Sequence, residues 1–543
     1  MTLSGNNIAV YAGSVAKDSE TSAAGVLTGG IGGVASSPKT AGEHTGGTEP
    51  VTISREVRFT PDRYRNALGK YKISRSADCA ACGLCAELCP HGVHCKPEGY
   101  AFTLRPQDHL CVGPTCASTD HYCIDKCPKQ ALQLMRNPSV DVLSDARWSS
   151  DLILSTWHMA ATGHAPPPGL ECRRGNSGGG FDRLHIDLPE DAKPKIDPAD
   201  IDTGLDLNHS GDGRPQVHID IPIYGGGMSF GSVSIHTMLG KARAAVAWNT
   251  FTCTGEGGYP DRLMPYDEHV ITQIATGLFG VREETMQRVR IIEFKYAQGA
   301  KPGLGGHLLG DKNTPPVARM REAVAGNALF SPFPFHSVYS VEDHKKHLDW
   351  IKEVNTKALV SVKVSTPGDV DMVAVGSYYA GAHIIHLDGS YGGTGAAPDI
   401  AKKNIAMPIE FGIPKVHKFL TAEGIRDKVT LIASGGIRTP HDVLKAIALG
   451  ADGVVIGTAE MVALGCVRCA CCESGRGCPR GIASTDPELM QQMSLDWATQ
   501  RLINLLNAWR EQIVDVLSKL GIRSTRELRG RTDVLYYKDS AKC

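Results

Sequence analysis

The cysteines carry the most specific chemical information in this sequence, because 13 of the 17 fall into three short runs. The first two runs are Cys79-x2-Cys82-x2-Cys85-x3-Cys89-Pro90 and Cys111-x4-Cys116-x6-Cys123-x3-Cys127-Pro128. A disulfide framework is typical of small secreted domains, whereas tight runs inside a long chain indicate metal ligands. The first spacing is that of a [4Fe–4S] ligand set, in which three thiolates hold one cluster and the fourth binds another. We therefore predict two clusters in this region.

Together the two runs resemble a bacterial two-cluster ferredoxin. The resemblance implies crossed ligands, so that the last cysteine of each run binds the cluster of the other run. One cluster would be held by Cys79, Cys82, Cys85 and Cys127, and the other by Cys111, Cys116, Cys123 and Cys89. A zinc site is the alternative, since Cys-x2-Cys also suits tetrahedral zinc. The two Cys-Pro endings favour iron–sulfur clusters, although the expanded second run leaves its cluster less certain.

Two glycine-rich segments follow β-rich runs in the second half of the chain. They are Ile432-Ala-Ser-Gly-Gly-Ile-Arg438 and Gly453-Val-Val-Ile-Gly-Thr-Ala459. Backbone N–H groups of such turns can approach phosphate oxygens, and TIM barrels commonly hold a phosphate after their seventh and eighth strands. The spacing predicts a phosphate-bearing ligand, and by itself it does not separate FMN from a sugar phosphate or a nucleotide.

Five further motifs occur in one order along the chain. They are Met228-Ser-Phe-Gly-Ser232, Thr254-Gly-Glu-Gly-Gly258, Gln298-Gly-Ala-Lys-Pro-Gly303, Asp388-Gly-Ser-Tyr-Gly-Gly-Thr-Gly395 and Ser434-Gly-Gly436. From about Asp151 to Asp486 the chain thereby resembles the FMN-binding synthase domain of glutamate synthases. The ferredoxin-like insertion before this region further resembles the archaeal-type form, in which amidotransferase and synthase lie on separate chains. The chain opens Met1-Thr-Leu without an N-terminal catalytic cysteine, so the resemblance implies that ammonia comes from another subunit.

The resemblance implies FMN as a cofactor and assigns two groups of residues to it. Met228, Ser229, Gln273 and Lys363 fall where the family lines the flavin ring and the ribityl chain. The positions that fall at the phosphate loops are Gly392, Gly393, Gly435, Gly436, Gly457 and Thr458. Lys363 ends a β-rich run, where its ammonium would stabilise negative charge at the N1 side of a reduced flavin.

The implied substrate is 2-oxoglutarate, a dianion whose recognition calls for cationic groups. Lys295, Lys301 and Arg321 fall at positions that resemble the family's substrate site. Arg321 would suit a bidentate carboxylate contact, and the alternative is that it faces solvent on a helix over Val317–Val324.

The candidates for catalysis are Lys301, which would also assist imine formation, and Glu256, in the loop Thr254–Gly258 on the flavin side, which would order ammonia or a proton path. The chain departs from the family at two positions near them. His307 stands where the family usually has glutamine, and Tyr259 stands where it usually has glutamate. We retain His307 as a substrate-binding position.

A third cysteine run follows the last glycine segment and reads Cys466-x2-Cys469-x2-Cys472-x5-Cys478-Pro479. Longer glutamate synthases hold three cysteines and a [3Fe–4S] cluster at this place. Four cysteines favour [4Fe–4S] here, while Cys471 leaves the ligand assignment open. Iron–sulfur clusters pass one electron at a time and a flavin can collect two, so the three clusters would form an electron path into the flavin.

The implied activity is the reductive amination of 2-oxoglutarate to L-glutamate, an oxidoreductase reaction on CH–NH2 donors. A separate glutamine amidotransferase subunit would supply ammonia, and a reductase or ferredoxin would supply electrons, in a hetero-oligomer. One alternative is an N-methylglutamate synthase-like subunit that uses methylamine, for which His307 would suit a changed substrate shape. The other is a non-catalytic electron-transfer subunit, against which the retained cations Lys295, Lys301 and Arg321 argue.

The strands and helices that must position these residues can be predicted from the hydrophobic pattern between about Val217 and Thr458. Short apolar runs alternate there with helical stretches, which indicates βα units on a parallel sheet. Its length of about 240 residues suits a (β/α)8 barrel, so we predict an α/β fold. Six strands can be placed: His218–Tyr224, Arg290–Lys295, Ala358–Val364, His383–Leu387, Val429–Ala433 and Gly453–Ile456.

Composition changes predict four regions in the chain. They are a flexible Gly/Ala/Ser-rich leader (1–55), an inserted α+β ferredoxin-type domain (71–140), the FMN-binding barrel with the third cysteine run (150–485, run 466–478) and a helical tail (486–543).

The overall charge gives no reason to expect nucleic acid or an anionic membrane as a partner. Lys and Arg total 57 against 58 Asp and Glu, so no net field favours a polyanion. No apolar stretch approaches the roughly 18–20 residues of a membrane span, and the N-terminus lacks a basic segment followed by an apolar one. Thiolate ligands also fit a reducing compartment, so we expect a cytoplasmic protein.

Overall fold

The computed structural model describes residues 52–63, 68–143, 145, 147–175, 180–189, 191–302, 307–330, 338–393, 395, 397, 399–473 and 476–538. The leader expected at 1–55 lies outside these residues except for its last four. The strands are β1 Tyr71–Arg75, β2 Leu132–Arg136, β3 Leu184–Ile186, β4 Leu205–Asp206, β5 His218–Ile219, β6 Ile223–Gly225, β7 Thr252–Cys253, β8 Val270–Ala275, β9 Ile291–Lys295, β10 His307–Leu308, β11 Leu329–Phe330, β12 Leu359–Ser365, β13 Ile384–Asp388, β14 Thr430–Ser434, β15 Gly453–Ile456 and β16 Leu535–Tyr537.

The α-helices alternate with the strands in the central region and dominate the C-terminal one. They are α1 Leu84–Leu88, α2 Cys123–Lys126, α3 Pro138–Asp141, α4 Ser150–Thr162, α5 Ile235–Ala247, α6 Glu283–Arg288, α7 Pro315–Arg321, α8 Val341–Val354, α9 Val370–Tyr379, α10 Asp399–Asn404, α11 Ile409–Ala422, α12 Pro440–Ala448, α13 Thr458–Ala463, α14 Pro487–Gln491, α15 Leu495–Leu520 and α16 Thr525–Leu528.

Eight parallel strands close into a barrel in their chain order, β6-β7-β8-β9-β12-β13-β14-β15, with β15 pairing β6. This confirms the predicted α/β fold with a TIM barrel. The glycine segments after β14 and β15 therefore follow the seventh and eighth barrel strands. The C-terminal ends of the strands are where TIM barrels place their chemistry.

The strand prediction was incomplete at the start of the barrel. The run His218–Tyr224 is two strands, because Pro222 lacks the N–H that a continuous ladder would need. The second barrel strand, β7, has only two residues and gives no periodic signal. The third, β8, was missed because polar Thr272 and Gln273 interrupt its apolar run, although the structure buries all six of its residues.

The lower part of the barrel interior is an apolar plug. Each barrel strand, or the residue just before it, contributes a buried side chain to this cluster, which also includes Leu207, Val217 and Ile219 from the β4–β5 hairpin region. A second, much larger cluster lies between the strands and the surrounding helices. Burial on both faces explains why these strands read as continuous apolar runs.

The ferredoxin-like region is closed by the antiparallel β1–β2 pair, in which Tyr71 lies opposite Arg136. The chain on both sides of this region packs on the long helix α15. Trp497 Nε1 donates to Pro61 O at 2.8 Å on the N-terminal side, and α4 packs against α15 on the C-terminal side. The region is thus an insertion between two segments that belong to the barrel unit.

The C-terminal region packs on the barrel. The helix α15 begins after the N-cap Ser494, ends at Gly521 and packs against α5 and α4. Its Arg501 is buried and donates to Ala463 O at 2.6 Å. The strand β16 then pairs with β3. Within the described ranges, every helix is too short or too polar to cross a bilayer.

Candidate active site and cluster sites

A large cavity opens at the C-terminal ends of the barrel strands, with about 1690 Å³ of empty space that includes some open solvent. All ten positions predicted to bind the cofactor line it, and so do three of the residues predicted for substrate binding or catalysis. These residues are Met228, Ser229, Gln273, Lys363, Gly392, Gly393, Gly435, Gly436, Gly457, Thr458, Glu256, Lys295 and Lys301.

The glycines of the phosphate loops allow the loops to meet without side chains between them. Gly435 has a φ of +94°, and a Cβ there would lie 2.5 Å from the backbone oxygen of Gly389. A Cβ at Gly393 would overlap Thr458 Oγ1, whereas one at Gly457 would meet nothing within 4 Å. The absence of side chains at these positions lets the loop backbones approach each other closely, and a ligand phosphate held by backbone N–H groups needs such a close approach.

A buried carboxylate, Glu293 on β9, anchors the floor of the cavity. Its Oε1 accepts from Gln273 Nε2 at 2.7 Å, and its Oε2 accepts from Ser361 Oγ at 3.1 Å and lies 2.9 Å from His386 Nδ1. Burial alone would raise the pKa of Glu293, but His386 lowers it to about 2. Glu293 is therefore ionised, and its hydrogen bond fixes the Gln273 amide.

The same network continues from His386 to Lys363. His386 Nε2 lies 2.7 Å from Ser434 Oγ, which donates to Asp388 Oδ1 at 2.6 Å. Asp388 Oδ2 pairs with Lys363 Nζ at 3.3 Å and accepts from Gly299 N at 3.0 Å. Burial lowers the pKa of Lys363, but Asp388 and Glu293 raise it more. Lys363 thus presents a full positive charge at the end of β12.

The sequence prediction missed Glu293, His386 and Asp388 as functional residues. Glu293 and His386 interrupt the apolar strands Ile-Ile-Glu-Phe-Lys and Ile-Ile-His-Leu-Asp. An ionisable residue inside a buried barrel strand needs a partner, and this signal could have identified both residues.

The substrate side of the cavity holds two lysines and a carboxylate. Lys295 Nζ lies 3.3 Å from Glu256 Oε1. Burial, and then the neighbouring Lys295 ammonium, lower the pKa of Lys301 to about 8. Lys301 can therefore exchange a proton near neutral pH, which suits general acid–base chemistry.

Arg321 lies behind the loop Met228–Ser232, which follows the first barrel strand. It ends α7 and is only 5% exposed, so the alternative of a solvent-facing helix position is wrong. Its Nη2 donates to Ser229 Oγ at 2.9 Å and to Phe230 O at 3.2 Å. His307 begins β10, and its side chain is outside the described part of the chain.

The third cysteine run borders the same cavity. Cys466, Cys472 and Cys478 line the cavity, whereas Cys469 and Cys471 are exposed. The neighbouring Glu473 also lines it and pairs with the buried Lys312 at 3.2 Å. The structure thus brings three of the four predicted ligands to the cavity.

The ferredoxin-like region contains two smaller cavities that divide its cysteines in the crossed pattern. One is lined by Cys79, Cys82, Cys85 and Cys127, and the other by Cys89, Cys111 and Cys116, while Cys123 borders both. Burial raises the pKa of the Cys111 thiol to about 11 and that of Cys123 to about 12. Cluster binding would have to displace these thiol protons.

No three His, Cys, Asp or Glu side chains of the described residues converge on a point that one metal ion could occupy. A [4Fe–4S] cluster needs no such convergence, because its thiolates bind separate irons. The two cysteine-lined cavities are therefore compatible with clusters.

Fold and site together define a TIM barrel whose cavity combines glycine turns suited to a phosphate, several cationic side chains and a cysteine run. A family model described as a conserved region in glutamate synthase matches residues 184–523. The archaeal-type glutamate synthase (NADPH) of Thermotoga maritima is 36% identical over 84% of this chain and 92% of that protein. The archaeal glutamate synthase (NADPH) of Methanocaldococcus jannaschii is 36% identical over 86% and 94%.

The glutamate synthase (NADPH) large chain of Azospirillum brasilense is 37% identical over 57% of this chain and 21% of that longer protein. The chain belongs to the glutamate synthase family. It is therefore an oxidoreductase that acts on CH–NH2 donors, and its similarity to the archaeal-type members covers nearly their whole length.

Proposed function

We propose that the chain reductively aminates 2-oxoglutarate to L-glutamate. One molecule each of 2-oxoglutarate and ammonia, with two electrons and two protons, would give glutamate and water. The observation that carries the proposal is the single cavity at the barrel mouth. It combines phosphate-suited glycine loops, the charged Lys363, the Lys295–Glu256 pair and three cysteines.

FMN is the cofactor that fits this cavity. The glycine loops after β14 and β15 would hold its phosphate, and Met228, Ser229, Gln273 and Lys363 would line its ring and ribityl chain. When bound, FMN supplies a two-electron donor that iron–sulfur clusters, which transfer single electrons, cannot provide. The charged Lys363 favours a reduced, anionic ring, and Gln273 has a fixed amide orientation.

Three side chains would act on the substrate. Lys295 provides a positive charge for a carboxylate of 2-oxoglutarate. With a pKa of about 8, Lys301 can protonate the keto oxygen as it leaves as water. Glu256 can accept a proton from the incoming ammonium ion. Arg321 would position Ser229 rather than bind a substrate carboxylate. The two acceptors of its Nη2, Ser229 Oγ and Phe230 O, both belong to the loop Met228–Ser232.

Electrons would enter through the inserted module. We propose two [4Fe–4S] clusters with crossed ligands in its two cavities, and a third cluster beside the main cavity. Cys466, Cys472 and Cys478 favour a [3Fe–4S] centre there, because these three cysteines line the cavity and Cys469 does not. This differs from the [4Fe–4S] cluster that four cysteines suggested.

The chain would act within a hetero-oligomer in a reducing, cytoplasmic compartment. A separate glutamine amidotransferase subunit would provide ammonia, since the family resemblance covers the synthase part alone. A reductase or a ferredoxin would provide electrons to the module. The name of the relatives specifies NADPH, which favours a reductase as the ultimate source.

Anaerobic reduction of the purified chain, with FMN and iron quantified, tests this function. The reduced protein would receive 2-oxoglutarate with ammonia, with methylamine, or alone, while flavin absorbance is followed. We expect reoxidation with ammonia and little change with 2-oxoglutarate alone. Reoxidation by 2-oxoglutarate with methylamine but not with ammonia would instead support the N-methylglutamate reaction. No reoxidation with either amine would support an electron-transfer subunit.

A further inference from the structure

The two cysteine-lined cavities of the inserted module differ in the charge of the side chains around them. The first cavity is the one lined by Cys79, Cys82, Cys85 and Cys127, and the second is the one lined by Cys89, Cys111 and Cys116. Three cations also line the first cavity, namely Arg75, Lys126 and Lys129. Among the described residues, the lining of the second cavity includes histidines but no lysine or arginine, and neither lining includes a carboxylate.

Arg75 is the cation of the first cavity that the fold holds in place. It ends β1 two residues after Ile73, a core residue of the module, so both side chains lie on the same face of the strand. Its Nη1 donates to Thr103 O at 3.0 Å and to Leu104 O at 3.2 Å, and Thr103 lines the same cavity. Two hydrogen bonds thus fix the guanidinium group beside the predicted cluster ligands.

The other two nitrogens of the Arg75 guanidinium are buried without a partner. Solvent hardly reaches Nε and Nη2, and no acceptor among the described residues lies within hydrogen-bonding distance of either atom. Buried donors without an acceptor are rare because they are costly, so these two indicate an acceptor that the polypeptide does not supply. Burial raises the pKa of the Cys85 thiol and the positive charge of Arg75 opposes that rise, so the two groups are close enough to interact. The missing acceptor therefore belongs in the first cavity.

The sulfur atoms of an iron–sulfur cluster would be acceptors of the required kind. A [4Fe–4S] cluster with four thiolate ligands carries a net negative charge, which grows by one when the cluster is reduced. A neighbouring guanidinium therefore stabilises the reduced form more than the oxidised one, through its charge and through N–H donors to sulfur. Net charge and hydrogen bonds to the sulfurs are among the factors that set the reduction potential of a cluster. A residue placed as Arg75 is should raise that potential.

We propose that Arg75 donates hydrogen bonds to the cluster in the first cavity and makes it the first of the module's two clusters to be reduced. The inference rests on the two clusters of the proposed function and deepens it, because it assigns them an order. Cys82 of the first cavity is exposed, whereas Cys89, Cys111 and Cys116 of the second are half-buried. The cluster that is reduced first would thus also be the one that an external electron donor can approach more closely.

An anaerobic redox titration followed by EPR tests this order, because reduced [4Fe–4S] clusters are paramagnetic and the method needs no turnover. It would use the full chain, isolated with its clusters, at about pH 8.5, where histidines of ordinary pKa are uncharged. The variants are Arg75→Gln, the charge-retaining Arg75→Lys, and Lys72→Gln, which removes one positive charge from an exposed position on the same strand. The iron content of each protein shows whether both clusters are retained.

For Arg75→Gln we expect the equilibrium constant for reduction of one [4Fe–4S] cluster to fall about 10-fold, which lowers the higher of the two midpoint potentials by about 59 mV. Arg75→Lys should lower it less, and Lys72→Gln should change neither midpoint. Unchanged midpoints, equal shifts of both, or a shift of the lower one alone would overturn the role of Arg75. If Arg75→Gln lost its cluster, Arg75→Lys would decide by the same criteria. An unsubstituted chain without [4Fe–4S] signals would overturn the proposed clusters, and the Arg75 proposal with them.

Discussion

The inserted module and the barrel obtain their order in different ways. Among the described residues, the module's apolar core consists of Ile73, Val93 and Leu132, with cysteines packed around it. The barrel has a large apolar core and, above it, a polar network whose partners are already in place. With so small an apolar core, the module would depend on the proposed clusters for stability, whereas the barrel positions its site by packing. Loss of the metal should therefore damage the module, and loss of a network side chain should damage the barrel.

The largest expected effect is the loss of the module's fold when Cys123 is replaced. Cys123 borders both small cavities, so Cys123→Ser should disturb both clusters. Hydrogen exchange should rise across residues 71–136, while peptides from β12 to β15 keep their protection. Cys95→Ser, at an exposed cysteine of the same module, is the control and should change neither region. A module that stays protected without iron would show that its apolar core is sufficient.

Replacement of Lys301 should slow the chemistry and leave both folds intact. Lys301→Met removes the proposed proton donor, so the rate of flavin reoxidation by 2-oxoglutarate and ammonia should fall by about 10²- to 10⁴-fold. Because the pKa of Lys301 is about 8, the unsubstituted rate should decrease as the pH rises through that value and the lysine loses its proton. Stopped-flow measurements between pH 6 and 10 check both points. A rate that is independent of pH across this range would remove Lys301 from the proton transfer.

Replacement of Lys363 should destabilise the barrel through its buried charges. Lys363→Met leaves Asp388 without its ammonium partner, which should cost about 3–5 kcal/mol in local stability. Hydrogen exchange of β12 and β13 measures this, with Lys357→Met, at an exposed lysine just before β12, as the control. Similar protection in both variants would mean that the hydrogen bonds from Gly299 N and Ser434 Oγ are enough to stabilise the buried Asp388 carboxylate.

Replacement of Glu293 should have the smallest effect, and that effect should depend on pH. Glu293→Gln weakens a charged hydrogen bond in the floor network, so it should cost about 1.5–3 kcal/mol at pH 7. The pKa of Glu293 is about 2 in the folded chain and about 4.3 in an unfolded one. Its stabilisation is therefore present above pH 4.3 and is lost as the pH falls towards 2. The difference in unfolding free energy between the unsubstituted chain and Glu293→Gln should therefore shrink between about pH 4.3 and 2. The control Glu353→Gln, at an exposed glutamate, should match the unsubstituted chain at every pH.

The sequence predicted the parts of this molecule that depend on local spacing. The barrel and six of its strands follow from apolar runs, whereas the glycines that line the main cavity and the division of the module cysteines between two cavities follow from motifs and the family resemblance. The two remaining strands did not, because β7 is only two residues long and β8 places Gln273 inside a buried face.

Long-range contacts explain what the sequence could not provide. Glu293, His386, Ser434 and Asp388 come from three different strands, so only the closed barrel brings them together. Arg321 reads as an ordinary helix residue until the fold buries it against Ser229.

In the proposed function, the barrel cavity performs the amination and the module only delivers electrons. The most direct measurement is a single turnover with 15N-ammonia and 2-oxoglutarate, after photochemical reduction of the flavin in the unsubstituted chain and in Cys123→Ser. Quenched samples would be analysed for 15N-glutamate per flavin. We predict about one glutamate per flavin in both proteins. If the fully reduced unsubstituted chain formed no glutamate, the barrel cavity would not perform the amination. If only the unsubstituted chain formed glutamate and Cys123→Ser did not, the module would do more than deliver electrons.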